Sequence, residues 1–71
     1  MKLAERLREL RKEKNLRQEH LAVALDIGMS TYCRYEQGKR EPTASLLVQM
    51  ADYYDVSVDY LLGRTDNRQL R

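Results

Sequence analysis

QEHLAVALDIGMSTYCRYEQG, residues 18–38, is the stretch on which the rest of the chain turns. Gln18 to Leu25 carries Leu21, Ala22 and Leu25 at the i, i+1, i+4 spacing of a buried helical stripe, and the small Ala22 leaves room for a crossing helix. Gly28 to Glu36 places Tyr32 and Tyr35 at i, i+3 on an inner face, which turns Met29, Ser30, Cys33 and Arg34 outward. Only Asp26-Ile27-Gly28 separates the two patterns. So short a joint cannot lay one helix antiparallel along the other, and the spacing predicts a bent pair, a helix-turn-helix. Asp26 sits where the chain must turn and accepts positive φ. Ile27 plugs the core beneath the turn. Gly28 takes the N-cap position of the second helix of the pair, where a Ser or Thr side chain usually accepts a backbone hydrogen bond and Gly is tolerated at a few tenths of a kcal/mol or so.

Outward from this pair, the periodicity continues in both directions. Leu3, Leu7 and Leu10, with Ala4 on the same side and charged residues between, predict an amphipathic first helix from about Lys2 to Lys14. Asn15 suits the left-handed residue at its end, and Leu16 drops back onto the core. Arg17 and Gln18 open the second helix. His20 reads as a solvent-facing residue, and Val23 and Ala24 are apolar on an outer face. Gly38 stops the third helix, and Lys39-Arg40 makes a short basic loop. Thr43 caps a fourth helix with Leu47, Met50, Ala51 and Tyr54 inward. Asp55-Val56 is a link, Ser57 caps a last short helix with Val58, Leu61 and Leu62, and Gly63 ends it. The expectation is an all-α, compact five-helix bundle over residues 1–63. The polar stretch RTDNRQLR, residues 64–71, is expected to be a frayed C-terminal tail.

Seventy-one residues suffice for one small core. Cys33 stands alone, so no disulfide framework exists, and no apolar run approaches the ~20 residues of a membrane span. With a charged N-terminus and no secretory signal, a cytoplasmic location without membrane attachment is expected. The net charge is only +2, but residues 1–40 hold ten basic groups against six acidic ones, a net of +4, while residues 41–71 hold three against five, a net of −2. Such asymmetry fits a polyanion footprint on the N-terminal half, or solvated helix faces. Catalysis is not expected: there is no Gly-rich phosphate loop and no His/carboxylate constellation, and Cys33 lacks a base other than the distant His20. His20 has no partner ligands at metal-binding spacing, so neither metal nor cofactor is expected.

Three runs, LRELRKEKNLRQEHLA, LDIGMSTYCRYEQGKREPT and LLVQMADYYDVSVDYLL, resemble the phage Cro/repressor-type helix-turn-helix family, also called the xenobiotic-response-element (XRE) type. The match covers residues 3–63. It rests on ordered elements: Leu16 and Gln18, Ala22, Ile27, Tyr35-Glu36 with Gly38-Lys39, Pro42, and Val56-Ser57-Val58-Asp59. The resemblance implies a lambda-repressor-like fold and a sequence-specific regulator, a repressor, that binds a double-stranded DNA operator in its major groove with helix 28–36. It implies base reading by Met29, Ser30 and Arg34. Arg34 is the strongest specificity candidate, because a bidentate Arg to guanine is the commonest specific contact, and Met29 suits a thymine methyl. It further implies phosphate contacts from Arg17, Gln18, Lys39 and Arg40, with Thr31 on the border between base and backbone, and a structural ion pair between Arg11 and Glu36.

Two positions depart from the family pattern. Asp26 stands where Gly is usual and Gly28 where Ser or Thr is usual, so phosphate contact at the joint loses a hydroxyl. The resemblance also implies a homodimer on a near-palindromic site, with Tyr60 and Leu62 as candidates for the contact or for core. The alternative is a protein-protein interaction module of the same fold, such as an antitoxin or accessory regulator, using Val23, Ala24 and Met29.

Overall fold

In the computed structural model, which describes residues 1–69, the helices are α1 (Leu3–Glu13), α2 (Gln18–Leu25), α3 (Met29–Glu36), α4 (Ala44–Tyr54) and α5 (Val58–Leu62). The all-α, five-helix expectation holds, and no strand forms among the described residues. Each boundary has a local cause. Asn15, Asp26 and Asp55 all adopt the left-handed conformation, with φ of 55°, 56° and 55°, and so break the helices before them. Gly63, at φ 80°, ends α5, and a Cβ there would lie 2.9 Å from the Lys2 side chain, so only glycine fits without displacement. At the other ends, the Thr43 hydroxyl accepts from the Leu46 amide at 3.2 Å and the Ser57 hydroxyl from the Tyr60 amide at 2.9 Å.

α1 packs on α3 and α5, α2 packs on α3 and α4, and α4 on α5, so one core lies at the meeting of all five. Leu7, Leu10, Leu21, Tyr32, Met50 and Leu61 fill its centre and are fully buried. Each such aliphatic side chain contributes about 1.5–3 kcal/mol over leaving it in water. The joint between α2 and α3 is held by the Ile27 amide donating to the Ala22 carbonyl at 2.9 Å, which lets Ile27 pack against the core from a half-buried position.

Four sequence expectations change in the structure. In α4 the buried stripe runs through Leu46, Met50 and Tyr54, one turn apart, and leaves Leu47 half-buried at its border. In α5 it is Tyr60 and Leu61 that are buried, with Leu62 half-exposed; Tyr60 therefore belongs to the core and is withdrawn as a dimer contact. Arg6, read as one of the charged residues of an outer face, is 6% exposed. Its guanidinium caps the end of α5, donating to the Tyr60 carbonyl at 2.8 Å and the Thr65 carbonyl at 2.7 Å, and it pairs with Asp66 at 2.8 Å. It also lies 4.0 Å over the Tyr60 ring.

The same contacts overturn the frayed tail over residues 64–69. Besides Arg6, Arg68 grips the Glu13 carboxylate with both terminal guanidinium nitrogens, and its carbonyl accepts from the Ser57 amide at 2.6 Å. Residues 64–69 thus lie against α1 and α5. Residues 70 and 71 of the expected tail fall outside the described residues.

Candidate nucleic-acid interface

The outer side of α3 presents Met29, 46% exposed, with Ser30 and Arg34 also exposed and Thr31 half-buried. Tyr32 and Tyr35 occupy the opposite side and are buried, as their spacing predicts. Eight residues at 1.5 Å each make α3 about 12 Å long, which matches the ~12 Å width of a DNA major groove. Its first amides have no side-chain cap, because Gly28 at the N-cap supplies none. They remain donors for an external acceptor.

The orientation of α3 is set by one carboxylate. Glu36 is 2% exposed, and the donors around its carboxylate come from α1, α2 and α3 itself. Arg11 of α1 donates from Nε at 2.7 Å and from its terminal nitrogen at 3.1 Å, a bidentate fork. Gln18 of α2 donates from Nε2 at 3.2 Å. The Tyr32 hydroxyl, one turn earlier on α3, donates at 2.5 Å. Burial by itself would push the Glu36 carboxyl upward, but the hydrogen bonds from Arg11, Tyr32 and Gln18, with the Arg11 charge, outweigh it and hold the group below the ordinary carboxylate range. Tyr32 shifts the opposite way: burial, then its bond to the Glu36 carboxylate, pushes its hydroxyl well above the usual phenol range, so it stays a donor. Arg11 also donates to the Leu16 carbonyl at 3.0 Å, which ties the α1–α2 turn to the same cluster.

The ion pair inferred for Arg11 and Glu36 is therefore present, and it is part of a larger hub. Three members escape a reading by resemblance. Arg8 of α1 donates to the Glu36 main-chain carbonyl and so closes the C-terminal end of α3. The Tyr32 hydroxyl could have been found from its i, i+4 spacing to Glu36. Cys33 donates from Sγ to Gln18 Oε1 at 3.1 Å, and nothing in the spacing announces it.

Gln18 and Met29 line one open cleft with Arg11, Arg17 and Glu19. The exposed Arg17 sits at the N-cap of α2, where its amide donates to His20 Nδ1 at 2.9 Å; His20 is exposed, as expected, but also serves as a cap partner. Arg40 lines a separate hollow with Met1, Leu3, Ala4, Tyr35, Gly38 and Glu41, so the structure does not bring it into the Gln18 cleft. Lys39 and Arg40 are both exposed beyond Gly38, whose φ of 73° turns the chain out of α3. Among the described residues no group of three or more His, Cys, Asp and Glu is placed to hold a metal ion, and no helix is long and apolar enough to cross a membrane.

The family model described as Helix-turn-helix matches residues 7–61. The chain is 45% identical over 65 residues to AnsR, an HTH-type transcriptional regulator of Bacillus subtilis (strain 168), covering 92% of this chain and 56% of that protein. It is 41% identical over 71 residues to RstR, the cryptic phage CTXphi transcriptional repressor of Vibrio cholerae serotype O1, covering 97% of this chain and 63% of that protein. The chain thus spans between half and two thirds of the length of these regulators. Among solved structures, the DNA-binding domain of the P22 C2 repressor superposes with a TM-score of 0.81 at 28% identity, over 97% of this chain and 90% of that domain. A transcriptional regulator from Listeria innocua superposes at 0.82 with 33% identity, over 86% of this chain and 57% of the other.

Proposed function

Because the chain belongs to the helix-turn-helix family, in its Cro/repressor (XRE) type, we propose that it is a sequence-specific double-stranded DNA-binding transcriptional regulator, a repressor, that reads the major groove with α3. The observation that carries this is the division of α3 into two faces. Its inner side is clamped to α1 and α2 through Glu36, while its outer side offers Met29, Ser30 and Arg34, none of which the core needs. A rigidly angled helix with spare side chains at its start is what groove reading requires.

Arg34 supplies a guanidinium fork for guanine and Met29 a thioether for a thymine methyl, with Ser30 able to donate or accept. Arg17, Gln18, Thr31, Lys39 and Arg40 hold phosphates and fix register, with α2 pointing the positive end of its dipole outward at Gln18. The fold's longest extent is 30 Å, less than the ~34–36 Å between half-sites one helical turn apart. One copy therefore covers one half-site, and a near-palindromic operator takes a homodimer.

The test is selection from a random duplex pool by the purified chain. We expect an enriched half-site containing guanine, lost on Arg34→Ala, repeated about one turn away. No retention of any duplex at low salt would sink the proposal. A second reading, a protein-protein module of the same fold, is favoured by Val23, which is 81% exposed on α2 beside the exposed Ala24. Co-purification of a protein that survives nuclease treatment and fails with Val23→Lys would support it.

A further inference from the structure

Gln18 sits between two groups of α3 that hold its side-chain amide from both ends. Its Nε2 donates to Glu36 Oε1 at 3.2 Å, and its Oε1 accepts from Cys33 Sγ at 3.1 Å. Cys33 is one helical turn before Glu36, so both anchors belong to the same helix. From these contacts we infer that Cys33 is a positioning residue for the Gln18 amide, holding it so that the second Nε2 proton is offered to a DNA phosphate; this rests on the phosphate role proposed for Gln18.

A primary amide has two donors on nitrogen and an acceptor oxygen, and flipping it exchanges them. At Gln18 a flip would press Oε1 against the buried Glu36 carboxylate and turn the amino group onto the thiol. The carboxylate selects which end faces Glu36. It does not by itself stop the amide plane from rotating about the bond that carries it, since a single hydrogen bond leaves that torsion broad. The thiol supplies the second point of attachment. With one Nε2 proton spent on Glu36 and the oxygen occupied by Cys33, the proton left over has one direction in which to point. The same arrangement links the phosphate contact on α2 directly to the reading helix, because the thiol that orients the contact is carried by α3. Cys33 needs no unusual reactivity for this, only its S–H.

The experiment uses the full chain and the duplex most enriched from a random-sequence pool by the wild type. Single methylphosphonates are placed along the backbone, and affinity is measured for wild type, Gln18→Ala, Cys33→Ala and Cys33→Ser, with melting temperatures recorded in parallel. For wild type we expect one phosphate per half-site whose neutralisation weakens binding and no longer does so in Gln18→Ala. Cys33→Ala should bind about two- to five-fold more weakly, the scale of a weak S–H hydrogen bond, and should lose most of its sensitivity at that one phosphate. It should melt no lower than wild type, since alanine is the better helix former. Cys33→Ser, which keeps a donor, should retain the sensitivity.

Full sensitivity in Cys33→Ala would overturn the inference, as would equal loss in the Ala and Ser variants. If Gln18→Ala keeps every phosphate effect, the phosphate role of Gln18 fails, and the positioning role falls with it; that outcome is recognised without reference to Cys33.

Discussion

Replacing Arg11 by Met takes the guanidinium away from Glu36 and keeps an unbranched side chain to fill the space along α1. In the wild type the two side chains are 14% and 2% exposed and share two hydrogen bonds, so the carboxylate that remains cannot turn to water. Removing one partner of a buried pair costs about 3–5 kcal/mol. Gln18 and Tyr32 still donate to the carboxylate in the variant, which places the expected loss at the low end, about 3 kcal/mol. A 71-residue domain has roughly 4–11 kcal/mol of stability in total, and one kcal/mol moves its melting temperature by about 4–8 °C. The variant should therefore melt roughly 12–24 °C lower at neutral pH, read by circular dichroism.

The pH dependence supplies the stricter test. In the wild type the folded Glu36 is depressed, so its stabilising contribution is present above the unfolded value of about 4.3 and is lost as pH falls through the folded value. Without Arg11 the burial remains and the largest favourable partner is gone, so the folded carboxyl lies higher than in the wild type. The variant therefore takes up its proton at a higher pH than the wild type does. The difference in stability between the two proteins should narrow as the solution is acidified below about pH 5. A drop of only a few degrees, or a difference that stays constant down to the acid limb, would refute the reasoning.

Arg6→Met removes three hydrogen bonds from a buried guanidinium and leaves the Tyr60 and Thr65 carbonyls without it, so chemical denaturation should show a loss of about 2–3 kcal/mol. Arg68→Ala breaks an ion pair whose side chains are both nearly half exposed and should leave the melting temperature almost unchanged. Gly28→Ser places a hydroxyl at an N-cap whose backbone is extended, with Thr31 Oγ1 at 3.8 Å as the nearest atom, so it should raise the melting temperature by roughly 1–3 °C and tighten duplex binding. The Tyr54 hydroxyl is buried and makes no hydrogen bond among the described residues; Tyr54→Phe should leave the melting temperature unchanged or raise it.

The helix pair was legible because its information is local. The i, i+3, i+4 spacing of Leu21, Leu25, Tyr32 and Tyr35 and the turn chemistry of Asp26 and Gly28 act within a few residues, and the structure places each as that chemistry requires. Arg11 with Glu36 came from the family pattern, since no rule of spacing joins residues 25 apart. Most of what stayed hidden is a polar side chain whose partner is far away in the sequence. Arg6 reaches Tyr60 and Asp66, Arg8 reaches the Glu36 carbonyl, and Arg68 reaches Glu13. Each looks in the sequence like an ordinary solvated charge on a helix or in a tail, because periodicity records which face a residue occupies and not what stands opposite.

That blindness bears on how the charge should be read. The ten basic groups of residues 1–40 suggest a broad polyanion footprint. Arg6 and Arg11, however, are turned inward onto Tyr60, Asp66 and Glu36, and half-buried Arg8 is engaged with the end of α3. Their guanidinium groups already hold the fold together. If Arg17, Lys39 and Arg40 are the charged phosphate contacts, log affinity should fall against log salt with a slope of about −2.7 per copy, whereas ten basic contacts would give about −9. Titrating the selected half-site on a short duplex over a range of salt concentrations separates the two. A slope near the larger figure would mean that the inward arginines release their partners on binding, and that the rigid clamp on α3 opens when DNA arrives.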